Sequence, residues 1–232
     1  MRLRDDIYFY GSPGGLNPPD GVFNANTIVI DGPEALLIDP GLAGRWPVLR
    51  EAMLDDGLAP DRITLVILTH GHPDHVEAGA ILARDYGAAL ALHQLDLDYM
   101  HGPGRVLFRP DCPPPAPGLC RRLTEGPLDF GGRRFQVYLT PGHTPGGICL
   151  HWPERKVLLT GDLYFPGTIG AHDLVGGRAG DMYASVRRLE NLDGVALVIC
   201  GHDRPIVGRR EVLANYGALK AEIAAKEAAG II

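Results

Sequence analysis

The sequence predicts an α/β protein in which two β-layers lie between helices. Short apolar runs bounded by turn residues recur along the chain, as expected for strands. These runs first cluster and then alternate with helical patterns, and this succession occurs in both halves of the chain. With 232 residues, of which 45% are hydrophobic, the chain is long enough to bury such a layered core. We therefore expect a single domain spanning residues 1–232.

The first half of the chain contains four predicted strands and two predicted helices. The run at 64–68 is almost entirely apolar and rich in β-forming residues, which is typical of a strand buried on both faces. The segment 46–56 has helical spacing, with Trp46, Leu49 and Met53 on one face. The predicted strands are 26–30, 35–39, 64–68 and 88–92, and the predicted helices are 46–56 and 76–86.

The second half repeats this order after an irregular stretch. Residues 96–127 show no periodicity, and their proline-rich segment 109–117 cannot lie inside a helix or a sheet. Long irregular segments in compact domains are often functional loops, so we expect a lid or rim at about 96–127, with a short helix near 95–101. Beyond it, the predicted strands are 134–139, 148–152, 156–159 and 196–200, and the predicted helices are 181–191 and 211–229.

Composition narrows the expected partners and location. The formal net charge of -6 gives no general attraction to nucleic acid. No apolar run approaches the ~20 residues of a membrane-spanning helix, and the first residues lack the apolar segment of a signal peptide. We therefore expect a cytoplasmic protein that acts on a small-molecule substrate and not at a membrane, with its oligomeric state left open. Cys112 and Cys120 flank the proline-rich segment and could form a bridge, although a reducing compartment favours free thiols.

The residues that carry chemistry begin with a cluster of three histidines and an aspartate. His70, His72, Asp74 and His75 fall within six residues, directly after a predicted buried strand. Imidazole nitrogen and carboxylate oxygen are preferred ligands of zinc and of neighbouring first-row metals. Without a metal, three crowded histidines would repel one another when protonated and would need separate partners when buried. His70 and His72 point the same way in extended backbone, while Asp74 and His75 project from the following turn, so one loop can serve two ions.

Three further strand ends each supply one side chain that can bind a metal. His143, Asp162 and His202 each follow a predicted strand, directly after a glycine. Catalytic residues gather at such ends, because a rigid sheet positions them where solvent can enter. A single Gly-His or Gly-Asp pair would be weak, but their agreement with the histidine cluster indicates one shared metal site.

Taken in order, these motifs resemble the metallo-β-lactamase-fold superfamily. The motifs are Thr-His-x-His-x-Asp-His at 69–75, Pro-Gly-His-Thr-x-Gly at 141–146, Gly-Asp at 161–162 and Gly-His at 201–202. The segment Leu37-Ile-Asp-Pro-Gly41 also resembles an early strand and turn of that family, so the resemblance covers nearly the whole chain. It implies an αββα sandwich of two mixed β-sheets flanked by helices, with the metals at one edge of the sheets.

The resemblance also implies how the ligands are shared between two ions. The first ion would be bound by His70, His72 and His143, the second by Asp74, His75 and His202, and Asp162 would bridge them. Asp39 matches the family's acidic residue behind the site, which would orient a ligand histidine; a turn-capping role for Asp39 is equally open. The expected cofactor is a pair of divalent ions, with Zn²⁺ expected first and iron or manganese accepted by the same ligands.

Such a pair of ions implies hydrolytic chemistry. Two divalent ions about 3.5 Å apart can lower the pKa of a shared water from ~16 toward neutrality, which gives a bridging hydroxide. The hydroxide would attack a carbonyl or phosphoryl centre while the ions stabilise the oxyanion. We expect Asp74 to exchange a proton with the nucleophile or the leaving group. Tyr164, two residues past Asp162, is placed to donate a hydrogen bond to substrate, with packing as the equal alternative.

Within the superfamily, the chain resembles the glyoxalase II-like branch, including the segment 169–178 after the aspartate. The presence of both Asp162 and His75 argues against β-lactam hydrolysis. A single predicted helix follows His202, where that branch has a helical glutathione-binding domain. We therefore expect hydrolysis of a small acyl substrate, either a thioester, such as a hydroxyacylglutathione-like one, or a lactone. The alternatives are an iron-dependent persulfide dioxygenase, a phosphodiesterase or ribonuclease of the same fold, and a non-catalytic metal-binding protein.

Overall fold

The two β-sheets of the protein pack face to face, and helices cover their outer faces. The structure, a computed structural model, describes residues 1–11, 24–190 and 192–230. The first sheet contains β1 Arg2–Arg4, β2 Ile7–Tyr10, β3 Thr27–Ile30, β4 Ala35–Ile38, β5 Ile63–Ile67, β6 Ala89–His93 and β7 Cys120–Leu123, in that order. The remaining strands are β8 Gly126–Phe130, β9 Arg133–Leu139, β10 Ile148–Trp152, β11 Val157–Gly161, β12 Tyr164–Phe165, β13 Thr168–Ile169, β14 Leu197–Cys200 and β15 Ile206–Val207.

The second sheet has the order β15-β14-β11-β10-β9-β8, while β12 and β13 form a separate hairpin. The helices are α1 Trp46–Asp55, α2 Pro73–Val76, α3 Gly79–Tyr86, α4 Gln94–His101, α5 Ala179–Leu189 and α6 Arg209–Ala228. Both sheets are mixed: β4 to β7 are parallel, as are β11 and β14, and the other pairs are antiparallel. The predicted αββα sandwich of two mixed sheets is confirmed.

The alternation of side chains along each strand produces three apolar layers. In β4, Leu36 and Ile38 pack between the sheets against residues such as Leu150, whereas Leu37 packs toward the helical side with Met53. The third layer lies between the second sheet and helices α5 and α6. Because both faces of the central strands are buried, these strands are apolar along their whole length. Polar side chains that could form a site are therefore found in the loops that follow these strands.

The elements differ from the predictions at the helix 76–86, in the stretch 96–127 and at several short strands. The helix predicted at 76–86 is two helices, α2 and α3, because the chain already turns helical at Pro73 and breaks before Gly79. The short helix predicted near 95–101 is present as α4, whereas the last part of the predicted lid or rim at 96–127 forms β7 and the start of β8. Both strands lie at sheet edges with exposed residues such as Arg121 and Arg122, so they lack the apolar pattern that marks an inner strand.

Several short strands were not predicted, because they have only two to four residues; they are β1, β2, β12, β13 and β15. All four cysteines are free thiols, so Cys112 and Cys120 do not form a bridge. Within the described residues, none of the helices combines the length and apolarity needed to cross a bilayer.

Candidate metal centre

The metal-ligand motifs meet at one edge of the sandwich because the strands that precede them end there. The loop 68–75 follows β5 of the first sheet, whereas Asp162 and His202 follow the parallel strands β11 and β14 of the second. His143 lies in the turn between the antiparallel strands β9 and β10. The two sheets are joined at this edge by a hydrogen bond of 2.9 Å from the Ile148 amide to the Thr69 carbonyl. The site therefore bridges the gap between the sheets.

Three histidines form the first group of candidate ligands. Nδ1 of His72 lies 3.1 Å from Nε2 of His70 and 2.8 Å from Nε2 of His143. All three side chains are buried. Their ligand atoms lie close enough together to bind a single ion.

In each of these histidines, one ring nitrogen points away from the other two rings, and its hydrogen bond determines which nitrogen carries the proton. Nδ1 of His143 donates to the Ala171 carbonyl at 2.7 Å. Nε2 of His72 donates to the Tyr99 hydroxyl, 3.1 Å away, since that hydroxyl itself donates to a backbone carbonyl. Nδ1 of His70 donates to the Thr69 hydroxyl at 3.1 Å, since that hydroxyl donates to a carboxylate. The nitrogens that face one another, Nε2 of His70, Nδ1 of His72 and Nε2 of His143, therefore carry no proton, and their lone pairs point toward a common centre. A cation at that centre would stabilise this arrangement.

A second group of ligands adjoins the first and includes both aspartates. Nε2 of His202 lies 3.2 Å from Asp74 Oδ2 and 3.4 Å from Asp162 Oδ2. Nε2 of His75 lies 3.4 Å from Asp162 Oδ1. Asp162 Oδ2 is also 3.5 Å from Nε2 of His143, so this carboxylate contacts ligands of both groups. Asp74, His75 and His202 form one candidate metal-binding set, and His70, His75 and Asp162 form another.

Two buried atoms of the second group support the fit to a cation. Nε2 of His75 and Oδ1 of Asp162 are inaccessible to solvent and face each other at 3.4 Å, but neither makes a well-formed hydrogen bond among the described residues. Buried polar atoms normally have partners, because leaving one unpaired costs about 1–3 kcal/mol. A metal ion would satisfy both atoms. The residues present therefore fit a metal centre.

In the metal-free centre, the histidines of the first group and those of the second group differ in their protonation. Burial, followed by the neighbouring His143, lowers the pKa of His72 to about 3, and burial also lowers the pKa of His70 well below its ordinary value, so both side chains are neutral. Burial also lowers the pKa of His202, but the Asp162 and Asp74 carboxylates outweigh it and raise that pKa to about 9. In the second group, a proton thus occupies the place that a cation would take.

Asp39 supports the second group from behind. Its Oδ2 accepts a hydrogen bond from Nδ1 of His75 at 2.9 Å, which leaves Nε2 directed at Asp162. The same carboxylate accepts the Thr69 amide at 2.8 Å and the Thr69 hydroxyl at 2.7 Å. Asp39 has a φ of 51°, a strained conformation for a residue with a side chain. This arrangement corresponds to the orienting role expected for Asp39.

Two supporting residues were not predicted from the sequence. Asp96 is fully buried and accepts hydrogen bonds from the Gly71 amide at 2.6 Å, the Gly146 amide at 2.5 Å and the Thr144 hydroxyl at 2.7 Å. Burial raises the pKa of Asp96 to about 6, and these three hydrogen bonds oppose that rise. Asp96 thereby ties the histidine loop 68–75 to the loop of His143. Tyr99 is the other supporting residue, through its contact with His72.

A signal for Asp96 was present in the sequence. Asp96 follows the apolar strand β6, which is the pattern that pointed to the metal ligands. It stands three residues past His93, the last residue of β6, inside the following helix and without a turn glycine directly before it, so it was not singled out.

Tyr164 is placed away from the site. Its side chain is fully buried in the apolar layer beneath the second sheet, where its ring packs edge-on against Tyr216 at 6.2 Å. It does not line the cleft next to the metal ligands. The expectation that Tyr164 donates a hydrogen bond to substrate is therefore corrected, because a fully buried phenol cannot reach one.

Gly201 makes the close approach of the two sheets possible. A Cβ atom at this position would lie 2.0 Å from Asp162 Oδ1 and 2.8 Å from Cε1 of His75. These distances are far below van der Waals contact, so a side chain at position 201 would displace both ligands. The packing of the two ligands, and not only the turn, therefore requires a glycine directly before His202.

A cleft of about 510 Å³ gives solvent access to the centre. Five of the seven candidate ligands contribute to its wall, namely His72, Asp74, His143, Asp162 and His202. Asp74 is the most exposed of these carboxylates, with 19% of its side chain accessible against 10% for Asp162. A substrate in the cleft would therefore meet the ligand groups directly.

Known proteins resemble this chain over the segments that carry the cluster. The sequence model described as the metallo-beta-lactamase superfamily matches residues 20–202, a range that contains all seven candidate ligands. The probable metallo-hydrolase YqgX of Bacillus subtilis is 28% identical over 191 residues, which cover 79% of this chain and 87% of that protein. The hydroxyacylglutathione hydrolase of Mesorhizobium japonicum is 29% identical over 191 residues, covering 82% of this chain and 62% of that enzyme.

A solved structure extends the likeness to three dimensions. The protein TTHA1623, solved in a di-iron-bound form, is 31% identical and superposes with a TM-score of 0.68. The superposition covers 85% of this chain and 94% of that one.

Proposed function

Because this chain belongs to the metallo-β-lactamase superfamily, whose members include metal-binding hydrolases, we propose that it is a binuclear metallohydrolase that cleaves a small acyl substrate. The substrate would be a thioester, such as a hydroxyacylglutathione-like one, or a lactone. The observation that carries this proposal is the sharing of Asp162 between two groups of ligands, one of three histidines and one of Asp74, His75 and His202. Zn²⁺ suits these ligands best, and iron or manganese also fit.

The chemistry follows from the positions of the side chains. Divalent ions at such a site supply an activated water as nucleophile and offset the negative charge that develops on the substrate oxygen. The ions would be held by the three histidines of the first group, by Asp74, His75 and His202 of the second group, and by the shared Asp162. Asp39 and Asp96 keep the ligand loops fixed, so that little reorganisation is needed during the reaction.

Asp74 is the residue best placed to move a proton. Its Oδ2 faces His202 Nε2 at 3.2 Å, and it is also partly open to the cleft. Burial raises the pKa of Asp74, but His75 and His202 outweigh that effect and lower it below the ordinary value. An ionised carboxylate at the cleft can accept a proton from the nucleophile and return it to the leaving group.

The test is a panel of thioester, lactone, phosphodiester and β-lactam substrates given to protein loaded with defined metals. We expect a thioester or a lactone to be hydrolysed fastest, and Asp162→Asn to abolish the reaction. His151→Gln is a matched control, because His151 is a buried histidine of β10 outside the cluster. Hydrolysis confined to phosphodiesters, or oxygen consumption with a persulfide and one iron per chain, would replace the proposal with those alternatives.

A further inference from the structure

The cleft beside the metal ligands has an apolar wall. Apart from the five ligands, every described residue that lines it is aliphatic or aromatic: Leu42, Pro73, Leu107, Phe165, Ala171 and Leu174. A volume of about 510 Å³ is within the range of cavities that bind small molecules. The part of a substrate that lies against this wall would therefore lose apolar surface to the protein.

Two separate segments bring exposed apolar side chains to this cleft. Leu107 ends the 3₁₀ turn Pro103–Leu107 and is 37% exposed, and Leu174 in the loop after β13 is 46% exposed. Their neighbours Val106 and Val175 are exposed as well. A grouping of exposed apolar residues around a concave site is typical of a surface that a ligand covers.

In the part of the chain that the structure describes, the wall away from the metal ligands offers no cationic side chain to an anionic substrate group. Among the described residues that line the cleft there is no lysine or arginine, and the carboxylates are Asp74 and Asp162. Arg178, which is close in sequence, is an exposed side chain paired with Asp181 at 3.2 Å and does not line the cleft. A carboxylate lying against the aliphatic part of the wall, away from the metal ligands, would therefore lack the cationic partner that normally offsets its desolvation.

We infer that the cleft selects uncharged acyl compounds with an aliphatic chain of several carbons next to the scissile carbonyl. Leu107 and Leu174 are the residues that determine this preference. The inference rests on the proposed acyl hydrolysis and narrows its substrate class. It disfavours hydroxyacyl thioesters of glutathione, because neither the hydroxyl group nor the carboxylate and ammonium groups of the glutathione part would find a polar side-chain partner among the described residues of this wall.

The first experiment varies the acyl chain on one neutral thiol. The metal-loaded protein receives the acetyl, hexanoyl and decanoyl thioesters of N-acetylcysteamine, together with hexanoyl-glutathione. Each fully buried methylene adds about fourfold to kcat/KM, so we expect hexanoyl to exceed acetyl by at least about tenfold. Hexanoyl-glutathione should be no better than the neutral hexanoyl thioester.

The second experiment changes the wall. Leu107→Ser and Leu174→Ser should each reduce the ratio of hexanoyl to acetyl kcat/KM by about tenfold, because the chain loses apolar contact. Leu119→Ser is the matched control, since Leu119 is a loop leucine that is 47% exposed but does not line the cleft. It should keep the ratio of the unaltered protein.

The outcomes separate this inference from the proposed function. Hydrolysis with equal rates for acetyl and hexanoyl, or a tenfold preference for the glutathione thioester, would overturn the inference and leave acyl hydrolysis intact. If no acyl compound is hydrolysed, the proposed function fails. Calorimetric binding of the uncharged amide N-butylhexanamide then tests separately whether the cleft is an apolar binding site. Binding that Leu174→Ser weakens and Leu119→Ser does not supports the apolar site, and absence of binding overturns it.

Discussion

Oδ2 of Asp39 lies 2.9 Å from Nδ1 of His75, and this contact orients a histidine whose other nitrogen faces the Asp162 carboxylate at 3.4 Å. The Asp39 carboxylate also accepts hydrogen bonds from the amide and the hydroxyl of Thr69, which directly precedes the first candidate ligand, His70. One buried side chain thus positions both the histidine loop and the second group of ligands.

Replacement of Asp39 should therefore weaken metal binding without unfolding the protein. Asp39 accepts hydrogen bonds from the Thr69 amide, the Thr69 hydroxyl and Nδ1 of His75. In Asp39→Asn, the NH₂ group would face at least one of these donors and could not accept its hydrogen bond, so His75 would lose its fixed orientation. We expect metal affinity to fall by 10- to 100-fold, measured by competition with a chromophoric chelator. Asp129→Asn, at an exposed ion pair with Arg134, should leave the affinity unchanged. Equal affinities of the Asp39 variant and the unaltered protein would contradict this role.

A methyl group at position 201 should disrupt the centre from the second sheet. Its Cβ would lie 2.0 Å from Asp162 Oδ1, so Gly201→Ala must displace the shared carboxylate. We expect at most one bound ion per chain, measured by elemental analysis after dialysis. Gly217→Ala in α6 is the control, because a Cβ there meets no neighbouring atom, and this variant should bind metal normally. Two tightly bound ions in Gly201→Ala would show that Asp162 tolerates displacement.

Asp96 should contribute to stability independently of metal. Its buried carboxylate accepts three hydrogen bonds that join two loops, and Asp96→Asn would leave at least one donor unpaired. We expect the free energy of unfolding to fall by about 2–3 kcal/mol, measured by urea denaturation in the presence of a chelator. Asp98→Asn, on the exposed side of the same helix, should change it little. An unchanged midpoint in the Asp96 variant would argue that the loops are held by other contacts.

Metal binding should release protons from the second group of ligands. Asp162 and Asp74 raise the pKa of His202 to about 9 against the effect of burial, so His202 carries a proton at neutral pH. That proton must leave before the nitrogen can bind an ion, so affinity should rise with pH and level off above about 9. Calorimetry in buffers of different ionisation enthalpy measures the number of protons released, and His202→Gln should release about one proton fewer than the unaltered protein. Identical proton release by both proteins would contradict the protonated state.

The candidate metal ligands could be picked out from the sequence because each motif follows an apolar strand. The buried run before His70 and the turn glycine before His202 are visible in the sequence, and parallel strands place their ends at one edge. Asp96 also comes shortly after a strand, β6, but it lies in the first turn of helix α4 without a turn glycine directly before it, so the sequence did not distinguish it from an ordinary polar residue.

The errors have physical causes as well. Tyr164 is close to Asp162 in sequence, yet it lies in a strand whose residues Tyr164 and Phe165 are both buried, and Tyr164 packs into the core. Proximity along the chain therefore did not indicate proximity to substrate. The edge strands β7 and β8 were assigned to a loop, because strands with exposed residues have little apolar pattern.

Anomalous X-ray scattering from crystals of the zinc-loaded protein tests the shared centre most directly. We predict two peaks in the anomalous difference map, one among His70, His72 and His143 and one among Asp74, His75 and His202, with Asp162 between them. A single peak confined to the three histidines, or peaks outside this cluster, would contradict a binuclear centre.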